Sequence, residues 1–358
     1  MFRAHRMTAA RAALVAALGL AGLVAGCGGG GDEVGGVVVA GTVGATVETK
    51  PVPNRGDAAD DPAIFVNGAN PADSLVIGTD KKGGLAVYDL TGAEVRYLDV
   101  GPMNNVDLRE GFTLGGSEIT LVAASDREHE AIVLFRLDPS TRDLVDVAAR
   151  PLELDMSAYG LCMYRSPEGV YYVFVNSEQG EVQQWELFEA DGRVDGRLVR
   201  SFDVGSQTEG CAVDDELGRL YIGEESEGVW RYGAEPDSGE ARRAVDTTGE
   251  LGHLDADVEG IAIVVGPGGS GYLIVSSQGS DSYAVYRREG DNQFLGTFEI
   301  VDAGGIDAVQ ETDGLDATGV SLGPAFPRGL LVVQDGEQDD EHQNFKLVPL
   351  DAVIRPSS

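Results

Sequence analysis

One pattern governs what this chain can fold into: a short, strongly apolar, β-rich run ending in polar residues occurs six times. The copies are Ser74–Asp80, Ile119–Asp126, Val170–Glu178, Arg219–Glu225, Gly271–Gln278 and Gly329–Asp335. A second run of alternating character follows each copy, at Gly84–Leu90, Ala131–Leu137, Glu181–Leu187, Gly228–Gly233, Ser282–Arg287 and Phe345–Leu350. A third run precedes each and opens on a polar residue followed by a small one. These openings are Asp61-Pro62-Ala63-Ile64, Asn105-Val106-Asp107-Leu108, Tyr159-Gly160-Leu161-Cys162, Glu209-Gly210-Cys211-Ala212, Glu259-Gly260-Ile261-Ala262 and Thr318-Gly319-Val320-Ser321. They recur at roughly 45 to 60 residues, the length of one four-stranded propeller blade. The expected fold is therefore all-β, a six-bladed β-propeller of four-stranded antiparallel blades. The sixth copy lacks an outer strand after Leu350. Ala45–Thr49 is expected to supply it, closing the ring and removing an exposed sheet edge. An apolar content of 42% allows one large core or two smaller ones.

The first 27 residues read as a targeting segment rather than as part of this fold. Arg3, Arg6 and Arg11 precede an apolar run, Ala12–Leu23, that is too short to span a bilayer. Leu23-Val24-Ala25-Gly26-Cys27 has the form of a bacterial lipobox, in which Cys27 becomes the lipidated N-terminus. The plainer alternative is a secretory signal with an incidental cysteine. The expected organisation is a lipoprotein signal over 1–27, a flexible glycine-rich tether over 28–44 and the propeller over 45–358. Such a protein is exported and lipid-anchored at the cell envelope, on the outer membrane of a Gram-negative cell because Gly28 follows the cysteine. Extracellular release is the variant of that expectation.

Without residues 1–26 the chain has 23 cations against 60 acids. That balance excludes nucleic acid as a natural partner, and it leaves the lipid as the sole route to a membrane. It would also repel a polyanionic substrate unless multivalent cations intervened, although acids serve solubility as well. A monomer is expected. Cys162 and Cys211 fall at equivalent places in successive inner strands. They are expected to be buried as small unpaired residues, with a bridge the less favoured outcome.

In a propeller the strand openings share one rim of the central channel. Asp57, Asp60, Asp61, Glu209, Asp257, Glu259 and the loop acids Asp307 and Asp313 would converge there. Carboxylates at that density need a cation or protons between them, and ligands of oxygen alone point to Ca²⁺ rather than Zn²⁺. Each acid taken singly could equally cap a turn. Lys81-Lys82 and Arg127 follow the first and second apolar strands at matching places, where they could grip phosphate oxygens or stand as solvated loop cations.

Several segments together resemble the β-propeller phytases: Asp57-Ala-Ala-Asp-Asp-Pro-Ala-Ile-Phe65, Asn104-Asn-Val-Asp-Leu-Arg109, Thr79–Tyr88, Ser206-Gln-Thr-Glu-Gly210, Val258-Glu-Gly260, Ser276-Ser-Gln-Gly279 and Thr312-Asp-Gly-Leu-Asp316. The resemblance runs from about residue 45 to 350, nearly all of the chain after the signal. It implies a phosphoric monoester hydrolase of the 3-phytase type. Such an enzyme hydrolyses phytate (myo-inositol hexakisphosphate), taken as calcium complexes, to lower inositol phosphates and orthophosphate by attack of a metal-activated water. It implies several Ca²⁺ ions on Asp61, Glu209, Glu225, Asp257, Glu259, Gln278, Asp307 and Asp313, and phosphate binding by Lys81, Lys82, Arg127 and Tyr159. The chain departs from the family pattern at Phe65 (usually Trp), at Glu110, and at Glu178-Gln179, where well-known members carry Lys-Glu. The last change puts an anion where a cation near the bound phosphates is expected. Two alternatives stand beside the phytase reading: a related calcium-dependent phosphoesterase of other substrates, and a non-enzymatic calcium-dependent surface binding propeller.

Overall fold

Each apolar run of the sequence forms the second strand of an antiparallel sheet, and six such sheets stand in a ring around a central channel. The computed structural model describes residues 33–34, 36–336 and 342–356. Cys27 and the rest of the signal segment lie outside the described residues. The first blade shows the plan, with Ala59–Phe65 innermost, then Leu75–Asp80, Gly84–Asp89 and Glu94–Asp99. The remaining inner strands are Met103–Leu114, Leu161–Arg165, Thr208–Asp214, Val258–Val265 and Leu315–Thr318. Each touches the inner strand of the next blade, and the last touches the first. Val47–Glu48 pairs antiparallel with Lys346-Leu347 as the outer strand of the sixth blade, so the N-terminal segment closes the ring. Among the described residues the α-helix is confined to Leu350–Val353, and no helix is long and apolar enough to cross a membrane.

The runs are apolar throughout, rather than alternating, because both faces of every blade are buried. Alternate residues serve opposite neighbours. Ile64, Val76, Ala86 and Tyr88 of the first blade pack toward the sixth, whereas Ala63, Phe65, Leu75, Ile77, Leu85 and Val87 pack toward the second. The outcome is neither one core nor two, but a layer between each pair of neighbouring blades. The region read as tether also contributes. Val37–Val39 pairs with Ile354–Pro356, and Thr42–Val43 runs parallel to Glu299-Ile300 of the fifth blade. Val39 and Val43 are buried there, so the fold begins ahead of residue 45.

Two features of the inner strands differ from expectation. Cys162 and Cys211 form a disulfide between the third and fourth blades, not two separate buried thiols. Their Cα atoms are 5.7 Å apart, within the usual bridging range, because neighbouring inner strands lie side by side in register. In the sixth blade the opening is Asp313-Gly314, and Thr318-Gly319 lies at the far end of that strand. Gly314 takes this position because its backbone presses on its neighbour. A Cβ there would lie 2.5 Å from the Asp61 Cα. Gly160, Gly210 and Gly260 press in the same way on the carbonyl oxygens of Glu209, Glu259 and Asp313, at 1.8, 2.0 and 2.6 Å from a would-be Cβ. Each glycine thus brings the acid of the next blade close to the axis.

Candidate active site

The stacking of these glycines gathers acids from distant parts of the chain into one cleft of about 230 Å³. Asp57, Lys81, Tyr159, Glu209, Glu259, Gln278, Glu311 and Asp313 line it. Glu209, Glu225 and Glu259 are buried, and each offers a carboxylate oxygen within 4.8 Å of the others. Asp60 and Asp313 join them through Lys81, whose ammonium lies 3.1 Å from Asp60 Oδ2, 2.8 Å from Asp313 Oδ2 and 2.5 Å from Asp57 Oδ1. The Gln278 side-chain amide donates to Asp313 Oδ1 at 2.6 Å.

Electrostatics follow from burial and crowding. Burial first, then the charge of Glu209, pushes the Asp60 carboxyl up to about 8. Burial and Asp60 push Asp313 up to about 7. Glu209, Glu225 and Glu259 are all raised, with burial the larger cause. Burial alone would pull the Lys81 ammonium down, but Asp60, Asp313, Glu209 and Asp57 together hold it well above its ordinary value. One internal cation therefore faces an excess of carboxylate. Asp60 Oδ1, Glu225 Oε1 and Glu259 Oε2 are buried and accept no hydrogen bond from the described residues. Unpaired buried oxygens of this kind are costly, and their donor set is oxygen alone. That is the chemistry of a hard divalent cation site, so the residues fit calcium.

The cations read from the sequence divide into three situations. Lys81 is sunk among carboxylates, with 11% of its side chain exposed. Lys82 is at the surface, where its ammonium donates to the Arg55 carbonyl at 2.6 Å. Arg127 reaches the rim from the matching place in the second blade. Its guanidinium donates to Asn104 Oδ1 at 2.9 Å and to Glu178 Oε1 at 3.2 Å, and sits 5.3 Å from the centre of the Tyr159 ring. The Tyr159 hydroxyl lies close enough to Glu209 for that carboxylate, after burial, to raise it well above its ordinary value.

Of the proposed ligands, Glu209, Glu225, Glu259, Gln278 and Asp313 come together, and exposed Asp257 lies close enough for its charge to raise Glu225. Two do not join them. Asp61 turns into the central channel, where Val106 N–H donates to its Oδ2 at 3.1 Å and Asp107 and Asp316 are its charged neighbours. Asp307 pairs with the buried Lys346 ammonium at 2.6 Å. Asp60, an opening acid without an assigned role, faces the cleft instead of Asp61, because the inner strand slips register between Ala59 and Pro62. Sequence reading also gave no role to Asn104, which links Arg127 to Glu209 through close hydrogen bonds. The signal was present: paired asparagines are out of place in a strand interior.

Residues 13–356 match the phytase family. The chain is 43% identical over 323 residues to the 3-phytase of Bacillus subtilis (strain 168), covering 87% of this chain and 84% of that protein. Among solved structures it resembles a luciferin-regenerating enzyme at 14% identity and a TM-score of 0.52, over 84% of this chain and 96% of the other. That last likeness concerns the propeller fold alone.

Proposed function

This chain belongs to the phytase family and is a phosphoric monoester hydrolase of the 3-phytase type, and from that premise we propose that it hydrolyses phytate in a calcium-dependent reaction at the acidic cleft. The observation that carries calcium dependence is the set of buried carboxylate oxygens from Asp60, Glu225 and Glu259 that have no hydrogen-bond partner among the described residues. Glu209, Glu225, Asp257, Glu259, Gln278 and Asp313 would hold the ions. Bound calcium would supply positive charge for phosphate oxygens and acidify the water that attacks phosphorus. A calcium role for Asp61 or Asp307 would belong to separate sites, in the channel and beside Lys346.

The chain's own residues do the orienting. Arg127 offers a planar fork to a phosphate, held in place by Asn104 and the face of Tyr159. Burial and the neighbouring Glu209 hold the Tyr159 hydroxyl well above its usual range, so it stays protonated and serves as a donor. Lys82, exposed beside Arg55, would meet a second phosphate of the same substrate. Lys81 offsets the carboxylates and would turn to phosphate as cations take over that task. The substrate would arrive as its calcium complex, and the protein would act as a monomer.

Phosphate release from phytate, measured with calcium and with excess chelator, tests this reading. Activity should vanish in chelator and return with calcium. Undiminished hydrolysis in chelator would rule the metal out. We further propose that Cys27 carries a lipid and holds the enzyme at the cell envelope. Labelled palmitate should enter the wild-type protein and not a Cys27→Ser variant; equal labelling of both would reject the anchor.

A further inference from the structure

The third blade delivers an acid to this site that the proposed reaction does not use. Its second strand ends at Asn176, and a tight turn follows, fastened by the buried Ser177. The Ser177 hydroxyl accepts from the N–H groups of Gln179 and Glu181 at 3.2 and 3.0 Å. Gly180 closes the turn at φ +92°, packed so near the Ser206 carbonyl that a Cβ would lie 2.6 Å from it. The turn is therefore built, and it holds Glu178 at its tip beside Arg127. Three groups meet the guanidinium there among the described residues: the Tyr159 ring, Asn104 on one terminal nitrogen, and Glu178 on the other terminal nitrogen at 3.2 Å.

We propose that Glu178 is an internal competitor for anions at Arg127: its carboxylate takes the place that a phosphate oxygen would take. An incoming phosphate must displace it, so Glu178 sets how tightly the site grips phosphate groups. The inference rests on the reading of Arg127 as a phosphate contact. The pair is partly solvated, with 35% and 42% of the two side chains exposed. Exposed ion pairs are weak, so the competition is worth roughly a two- to fivefold change in affinity. A different role for Glu178, as an added calcium ligand near Glu225, predicts the opposite sign.

The test uses inorganic sulfate, a tetrahedral dianion that is not turned over, titrated calorimetrically at fixed calcium into the wild type and into Glu178→Gln. Sulfate should bind about two- to fivefold more tightly to the variant, and the gain should disappear in an Arg127→Gln background. In turnover of a phosphate ester, the same factor should enter KM rather than kcat. Equal or weaker sulfate binding by Glu178→Gln would overturn the proposal, as would a gain that persists without Arg127. Absence of sulfate binding to the wild type and to the variant would overturn it too. The sulfate titration does not depend on hydrolysis, so failure of the phytase reading remains distinguishable from failure of this one.

Discussion

Two groups of acids, buried or half-buried, stand on the inner strands or beside their ends, one at the rim of the channel and one within it, and they are finished in different ways. The channel, a cavity of about 240 Å³, is lined by Asp61, Asp107, Asp214, Asp215 and Asp316. Donors of the protein meet them all. Asp316, Asp61 and Asp107 each accept a backbone N–H from the following blade, from Ile64, Val106 and Met163 at 2.7, 3.1 and 2.7 Å. Arg109 bridges Asp107 and Asp215, and Arg288 clamps Asp214 at 2.6 Å. The rim acids have one ammonium, Lys81, and the side-chain amides of Asn104 and Gln278, yet buried oxygens of Asp60, Glu225 and Glu259 go unpaired there among the described residues. Acids of one kind on one scaffold thus do two jobs. In the channel they stitch blades together; at the rim they are left for something from outside.

The strongest way to break this comparison is to remove a channel donor. Arg288 and Asp214 are both fully buried, so Arg288→Met leaves an uncompensated charge. Breaking a buried pair in this way costs about 3–5 kcal/mol. The melting temperature should fall sharply, and saturating calcium should not restore it. A variant as stable as the wild type would mean that the channel acids are not structural. Next in size is the rim counterpart, Glu259→Gln. Loss of one charged group from a preorganised site lowers turnover by roughly 10²-fold. Without calcium this variant should melt no lower than the wild type, since it loses a repelling charge. Its stabilisation by calcium, which measures binding to the folded state, should shrink. Calcium raising both melting temperatures equally would place the cation elsewhere.

How much of this was legible in the sequence depends on what each residue's role rests upon. The propeller was readable because the blades repeat, and burial on both faces forces apolar runs such as Leu75-Val-Ile-Gly78 that need no partner to be noticed. The convergence of Glu209 and Glu259 was readable because each precedes a glycine at a strand opening, whereas Asp313 was legible only as a loop acid, since Thr318-Gly319 reads as the opening of that strand. What the sequence hid is direction. Asp60 and Asp61 are adjacent, and a register slip between Ala59 and Pro62 decides which faces the cleft. The fourth and fifth blades slip at the same place, across Glu209-Gly210 and Glu259-Gly260, so the slip matches Asp60 to those acids and Asp61 to their glycines, a match that two adjacent aspartates conceal in the sequence. The disulfide was hidden for a related reason: equivalent positions made Cys162 and Cys211 neighbours, but the 5.7 Å separation that makes a bridge feasible is a property of the packed ring. Partners were hidden as well. Lys81 reads as a displayed cation and is a largely covered counter-ion, and Asp307 reads as a ligand and is paired with Lys346.

The gentlest probe of the comparison is pH. Asp60 and Asp313 at the rim are held near 8 and 7, and Asp316 in the channel near 7, against an ordinary value of 3.8. Burial is the leading cause in all three. A carboxyl raised in the folded state keeps its proton where the unfolded chain has lost it. Between about pH 4 and pH 8 the folded protein therefore binds more protons, and its stability falls as pH rises. Each carboxyl in excess contributes up to about 1.4 kcal/mol per pH unit within that window. In chelator, the melting temperature should accordingly drop between pH 5 and pH 8, with other conditions fixed. Calcium competes with protons for the rim oxygens, so saturating calcium should remove the rim's share of this slope and leave at most the channel's. A slope that calcium leaves untouched would show that the cleft acids are not where the ion binds, and a melting temperature that rises with pH in chelator would show that burial does not hold these carboxyls protonated.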